Sequence, residues 1–253
     1  MLTIIWFDIH KLKLVLPDTP TGIMPIKLVV FDIAGTTVKD DHAVSRAFQA
    51  ALQKFNYEVP LELINPLMGY EKTMAIRQML RLHEYDDARI TSELVSKIHR
   101  QFVQQMIAYY EFSSDIEPLP NVEETFTALR SKGIRVGINT GFSRDIAETI
   151  VNRLRWAEKG LIDHVIGSDE VELGRPYPYM IQKIMREGGI EHPGEVAKVG
   201  DTEVDIREGQ NAGCRYVIGV TTGIFTREEL EPYNPTHIID DIADVIKIVN
   251  TPG

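Results

Sequence analysis

The sequence predicts an α/β protein: a parallel sheet wrapped by helices, with an all-helical segment inserted after the first strand. Three observations carry this expectation. Five short apolar runs have the continuous character of strands buried on both faces. Amphipathic stretches alternate with the later runs, as crossover helices do between parallel strands. Residues 41–118 break that alternation and read as helices, with hardly a β-rich run among them.

The first run is KLVVFD (Lys27–Asp32), followed by GIRVGINTG (Gly133–Gly141), HVIGSDE (His164–Glu170), VAKVGDT (Val196–Thr202) and RYVIGVTTG (Arg215–Gly223). Among the crossover helices, NVEETFTALRSK opens with Asn121 as an expected N-cap followed by acids, and SRDIAETIVNRLR opens with Ser143. PYPYMIQKIMREGG has prolines at its start and glycines at its stop. Inside the inserted segment, HAVSRAFQAALQKF, KTMAIRQMLRLHE and SELVSKIHRQFVQQMIAYY have amphipathic helical spacing. The expected organisation is therefore a Rossmann-like sheet core of residues 25–40 and 119–253 and a helical cap of residues 41–118, lying over the carboxyl ends of the strands. Residues 1–24 form an extension that either packs a leader strand on the core or contributes little. That extension is apolar but carries Asp8, His10, Lys11 and Lys13, so no run approaches the ~20 residues that span a bilayer. Neither membrane targeting nor a signal core is expected.

Composition narrows the function. A length of 253 residues with 43% hydrophobic content is enough to bury a full core. A net charge of −10 argues against general affinity for nucleic acid or an anionic membrane, leaving a small molecule as the expected partner. The lone Cys214 excludes an internal disulfide and a cysteine-rich zinc site, which fits a reducing, cytoplasmic setting. A monomer or a homodimer is compatible with everything above.

In open α/β sheets, ligands bind at the carboxyl ends of the strands. The residues there are Asp32, Thr140, Arg175 in GRPYP, and the pair Asp201 and Asp205 in GDTEVD. Together they suit phosphoryl-type transfer: a carboxylate to attack phosphorus, a divalent ion to neutralise charge, and hydroxyl and cationic donors to hold the other oxygens. Asp32 is the candidate nucleophile and Asp201 with Asp205 the candidate metal pair, whose hard oxygens favour Mg²⁺ over zinc.

FDIAGTT, INTGF, GRPYP and KVGDTEVD, in that order and separated by a helical insertion, resemble the four motifs of the haloacid dehalogenase superfamily. The resemblance implies a Rossmann-like core with a cap inserted after the first motif. It implies Mg²⁺ held by Asp32, the Ala34 carbonyl and Asp201, with Asp205 in support, and substrate contacts at Thr36, Gly141, Met68 and His42. Most phosphatases of the superfamily carry a second aspartate two residues after the nucleophile as general acid; here that residue is Ala34. The Asp-x-Ala-Gly-Thr form is similar to the phosphonatase-like branch, in which a C–P bond is cut after a cap lysine condenses with the substrate aldehyde. MGYEK (Met68–Lys72) places Lys72 in the corresponding position. Such a lysine must be neutral part of the time, so burial should depress its pKa.

Two departures stand out. Ala75 replaces the branch's histidine three residues after the lysine, and Phe142 replaces a tyrosine in the second motif. His42 falls where the branch has a cysteine and could shuttle protons. Three functions follow: hydrolysis of a small carbonyl-bearing phosphonate through Asp32 and Lys72; hydrolysis of a phosphate ester; or a non-enzymatic regulator that binds a phosphorylated ligand, disfavoured because the reactive set is complete. Arg175 is expected to grip the transferring group, with its truncation sparing stability.

Overall fold

The computed structural model describes residues 24–82 and 87–250; the extension expected over residues 1–24 lies outside the described residues except for Met24. Strand β1 (Leu28–Phe31) leads into α1 (Ala43–Gln53), the short α2 (Leu61–Ile64), α3 (Lys72–Arg81) and α4 (Ser92–Phe112). The chain then alternates through α5 (Val122–Ser131), β2 (Arg135–Thr140), α6 (Arg144–Leu154), β3 (His164–Gly167), α7 (Tyr179–Glu187), β4 (Val196–Gly200), α8 (Glu203–Ala212) and β5 (Tyr216–Val220). It ends with α9 (Arg227–Leu230), β6 (His237–Ile239) and α10 (Asp244–Asn250).

All strand pairs are parallel, and the six-stranded sheet has the order β3-β2-β1-β4-β5-β6. The α/β expectation is met, with one strand more than the five apolar runs announced, because β6 is only three residues long. β1 shows why its run is apolar throughout. Successive side chains of a strand point to opposite faces, so Val29 and Phe31 join one core while Leu28 and Val30 join a second on the other face with Met180, Ile181 and Ile184. No membrane-spanning candidate occurs: no helix of the described residues is long and apolar enough to cross a bilayer.

The larger core runs without a break into helices α1–α4. Phe48 of α1 stacks on Phe102 of α4 with centroids 4.2 Å apart, and Phe142, just beyond β2, stands 6.4 Å from Phe102 and 6.0 Å from Tyr110. A side chain of the sheet's upper edge is thus embedded in the aromatic cluster of the helical block. The chain leaves for this block and returns at one place. Lys39 N–H donates to Glu117 O at 3.3 Å and Leu119 N–H to Thr37 O at 3.0 Å.

Two expected helix caps differ. Asn121 precedes α5 in the left-handed conformation (φ 65°), and its amide donates to Asp241 rather than its oxygen capping the helix. Ser143 precedes α6, but its buried hydroxyl has no hydrogen-bond partner. GDTEVD is a turn only through Thr202; Asp205 already lies in the first turn of α8, where it accepts from the Thr202 hydroxyl.

Candidate active site

β1 and β4 are neighbours, but the chain passes from β1 towards β2 and from β4 towards β5, so the loops after them part and leave a crevice. Asp32 is the first residue beyond β1, Asp201 the first beyond β4, and Thr140 the last of β2. A cavity of about 90 Å³ opens there, lined by Asp32, Ala34, Lys72, Thr140, Asp201 and, among others, Met68, His42 and Gly141. The structure therefore brings most of the sequence-predicted residues to one place.

Glycines permit the close approaches. Gly35 has φ +82°, and a Cβ there would lie 2.7 Å from Asp201 Oδ2. A Cβ on Gly141 would lie 2.6 Å from the carbonyl oxygens of Gly69 and Tyr70, so the loop after β2 meets the Met68–Lys72 turn of the helical block backbone to backbone.

Asp32, Asp201 and Asp205 offer carboxylate oxygens all within 4.8 Å of one another. Asp201 is held at both oxygens, by the Thr36 hydroxyl at 2.9 Å and by Ile224 N–H at 3.0 Å. Burial, reinforced by the charges of Asp32 and Asp205, pushes the Asp201 carboxyl well above the usual carboxylate range. Burial also raises Asp32, against the pull of Arg175 and with a further push from Asp205. Asp205 goes the other way: burial is outweighed by Arg175 and Lys198, and its carboxylate stays ionised.

Two expectations need correction. Thr36 does not line the cavity; it is fully buried and donates its hydroxyl to Asp201, so its place is to orient that carboxylate. Arg175 does not line it either. Its guanidinium is 0% exposed and pairs through Nη1 with Asp32 Oδ1 at 2.7 Å and Asp205 Oδ1 at 3.0 Å, and through Nε with Glu208 at 3.0 Å. Nη2 donates to the backbone and side-chain oxygens of Asn139, each at 2.7 Å. Burial works against its charge, but Asp205, Asp32 and Glu208 outweigh it and hold the group protonated. Arg175 is the hub beneath the site and aims Asp32 from below.

Sequence reasoning missed the rest of that hub. Lys198 of β4 places its amine 2.8 Å from Asp205 Oδ1 and 2.9 Å from Asn139 Oδ1, and the Asn139 amide donates to Glu208 at 2.8 Å. The signal was present: a lysine inside VAKVG, a strand with both faces covered, must be paired. The buried acids Asp32, Asp201, Asp205 and Glu208 thus face the buried cations Arg175 and Lys198. Asp32, Asp201 and Asp205 present oxygens alone within 4.8 Å of one another, a donor set that fits a hard divalent cation.

Lys72 begins α3, where the Glu71 side chain caps the helix by accepting from Thr73 N–H at 2.9 Å and Met74 N–H at 2.8 Å. Its amine stands 5.0 Å from the Phe142 ring centre and 5.6 Å from that of Phe48. It is 4% exposed and, among the described residues, makes no hydrogen bond or ion pair. Burial lowers its pKa to about 8, helped by Arg175 and opposed by Asp32. Thr140 Oγ1 accepts from Phe142 N–H at 3.2 Å, which leaves the hydroxyl proton to donate into the cavity. His42 occupies the position before α1 in the left-handed conformation (φ 59°) with its side chain exposed, and makes no capping bond.

Comparison with known proteins agrees with this geometry. Residues 26–213 match the family model described as haloacid dehalogenase-like hydrolase. The phosphonoacetaldehyde hydrolase of Bacillus cereus is 32% identical over 232 residues, covering 88% of this chain and 87% of its own. A phosphonoacetaldehyde hydrolase-like protein from Oleispira antarctica superposes with a TM-score of 0.78 at 25% identity, covering 90% of this chain and 94% of its own. A predicted phosphoglycolate phosphatase from Haemophilus somnus shares the fold, with a TM-score of 0.74 at 23% identity over 90% of this chain and all of its own. The chain is a hydrolase that belongs to the haloacid dehalogenase-like family, in its phosphonatase-like branch.

Proposed function

We propose that the protein cleaves the C–P bond of a small carbonyl-bearing phosphonate of the phosphonoacetaldehyde type, with residues 41–118 acting as a cap over the site. The observation that carries this is the Lys72 amine: buried, without a polar partner among the described residues, over two aromatic rings, and open to the cavity that holds Asp32. With a pKa of about 8, roughly a tenth of it is neutral at pH 7 and can add to a carbonyl. The resulting iminium withdraws electrons from the neighbouring carbon. When the Asp32 carboxylate attacks phosphorus, the C–P pair has somewhere to go and the leaving group departs as an enamine.

Ala34 is then no defect, because no oxygen leaves and no acid is needed at that position. Asp32, the Ala34 carbonyl and Asp201 would hold Mg²⁺, with Asp205 held behind them by Arg175 and Lys198. When bound, the ion supplies neutralisation of the phosphonate charge. Thr140 and the backbone around Gly141 bind phosphoryl oxygens, while Met68 and Phe142 exclude water from the imine.

Borohydride added with phosphonoacetaldehyde should reduce the imine and leave a covalent adduct on Lys72, and Lys72→Arg should lose both adduct and phosphate release. A second reading rests on Ala75 and Phe142, which leave the face around Lys72 apolar. In that case a phosphate ester is hydrolysed and Lys72 is an electrostatic contact, so Lys72→Arg would keep activity and nothing would be trapped.

A further inference from the structure

The cavity holds one acid that none of these roles uses. Asp40 lines it together with Asp32, His42, Lys72 and Asp201, the other titratable side chains of its wall. Its Oδ1 accepts from Ala43 N–H at 2.7 Å and Val44 N–H at 3.3 Å, which fixes the carboxyl group at the start of α1. Its Oδ2 accepts no hydrogen bond among the described residues. Burial raises this carboxyl above the ordinary range, opposed by the two backbone donors and by His42 and Arg46. Asp40 acts electrostatically on the Lys72 amine and on Tyr109 and Tyr110 of α4, so these groups share one neighbourhood.

We propose that Asp40 is the acid–base residue for imine formation at Lys72, a task for which Ala75 has no functional group. The proposal rests on the imine reading above. With Asp32 and Asp201 assigned to phosphorus and the metal, and His42 exposed, half-buried Asp40 is the titratable group of the wall that remains.

The chemistry balances with one shuttled proton. The neutral amine forms an N–C bond, the carbonyl π pair moves to oxygen, and that oxygen takes up the proton the nitrogen gives up. Asp40, protonated, then gives its proton to the carbinolamine hydroxyl. The C–O bond breaks, water leaves, and the nitrogen lone pair closes the C=N bond of the iminium. Asp40 is left as carboxylate. After C–P cleavage the enamine carbon takes a proton from a water whose hydroxide cleaves the phosphoryl group from Asp32, and hydrolysis of the regenerated iminium by a second water returns one proton to Asp40. His42, on the solvent side, can exchange protons with it.

Asp40→Asn tests this, because its side-chain oxygen still caps α1 while the titratable proton is gone. Asp40→Ser, another capping residue, guards against a variant that fails to fold. Each is compared with the parent for borohydride trapping of phosphonoacetaldehyde on Lys72, phosphate release and thermal melting. The expected result is a fall of about 10²- to 10⁴-fold in trapping rate and turnover with the melting temperature unchanged. Trapping and turnover within threefold of the parent in a folded variant would overturn the role of Asp40 and leave the imine reading standing. A parent that traps nothing at Lys72 would overturn both.

Discussion

Replacing Lys72 by methionine should make the protein more stable while abolishing C–P cleavage. The amine is 4% exposed, and its pKa falls from 10.5 to about 8, chiefly through burial. At 1.36 kcal/mol per pKa unit, holding the protonated amine in the folded state costs about 3 kcal/mol at pH 7. Attraction to the Phe48 and Phe142 rings returns about 1 kcal/mol of this, leaving a net gain of about 2 kcal/mol for a side chain of similar length and no charge. The sign with pH follows from linkage. The folded protein binds this proton less tightly than the unfolded chain, so the penalty is fully present below the folded pKa near 8 and is relieved as pH rises towards 10.5. Urea unfolding of parent and Lys72→Met at pH 7 and pH 10 reads both effects: the variant should lead at pH 7, and most of the gap should be gone at pH 10. A variant less stable than the parent at pH 7, or a gap that ignores pH, would refute the picture of a desolvated, unpaired amine.

Arg175→Met should destabilise by about 3–5 kcal/mol in the same assay, because Asp32, Asp205 and Glu208 lose their shared cation in a fully buried setting; a loss below about 1 kcal/mol would contradict the hub. Millimolar Mg²⁺ should raise the melting temperature of the parent by relieving the repulsion among Asp32, Asp201 and Asp205, and Asp201→Asn should remove that rise. Gly141→Ala puts a methyl group 2.6 Å from two backbone oxygens of the Met68–Lys72 turn, so the turn must shift. An overpacking cost of about 1–3 kcal/mol predicts at least a fivefold loss of trapping at Lys72 without loss of the far-ultraviolet circular dichroism signal.

What could be read from the sequence was whatever depends on local pattern. A strand buried on both faces is apolar at every position, so Leu28–Phe31 announces itself, and a carboxylate directly after it lies at the sheet's ligand-binding edge. The helical block was legible for the same reason: α1, α3 and α4 each keep an apolar stripe that buries Phe48, Ile76 and Phe102. The partners of buried charge were not legible, because pairing joins residues far apart in the chain. Nothing local to GRPYP says that its arginine turns away from the cavity, and Thr36 finds Asp201 across 165 positions. β6 was missed because three residues carry no period, and its pairing with β5 is supplied by the sheet. Asn121 looked like a cap because its residue type is right; its amide was claimed instead by Asp241, 120 positions away.

Ala75 and Phe142, which at first look like losses, both belong to the larger apolar core that joins the sheet to helices α1–α4. Ala75 lies three residues after Lys72 on α3 and is fully buried, while the Phe142 ring stands between the sheet's upper edge and the aromatic cluster of α1 and α4. A tyrosine at 142 would bring a hydroxyl needing a partner into that cluster, and a histidine at 75 would bring a second titratable group beside the amine. With both positions apolar, burial lowers the Lys72 pKa and no neighbour on its own helix face donates or accepts a proton. The remaining polarity of the site is divided. Arg175, Lys198, Asp205 and Glu208 lie buried behind the cavity wall, while Asp40 and His42 line it at the point where the chain leaves the sheet for the helices. Asp40 caps the helix that bears Phe48, and Phe48 packs on Phe102 beside the Lys72 amine, so the crossing point of the chain is tied by packing to the start of α3. The Met68–Lys72 turn meets Gly141 backbone to backbone, so the unit that carries Lys72 is seated directly against the loop that follows Thr140.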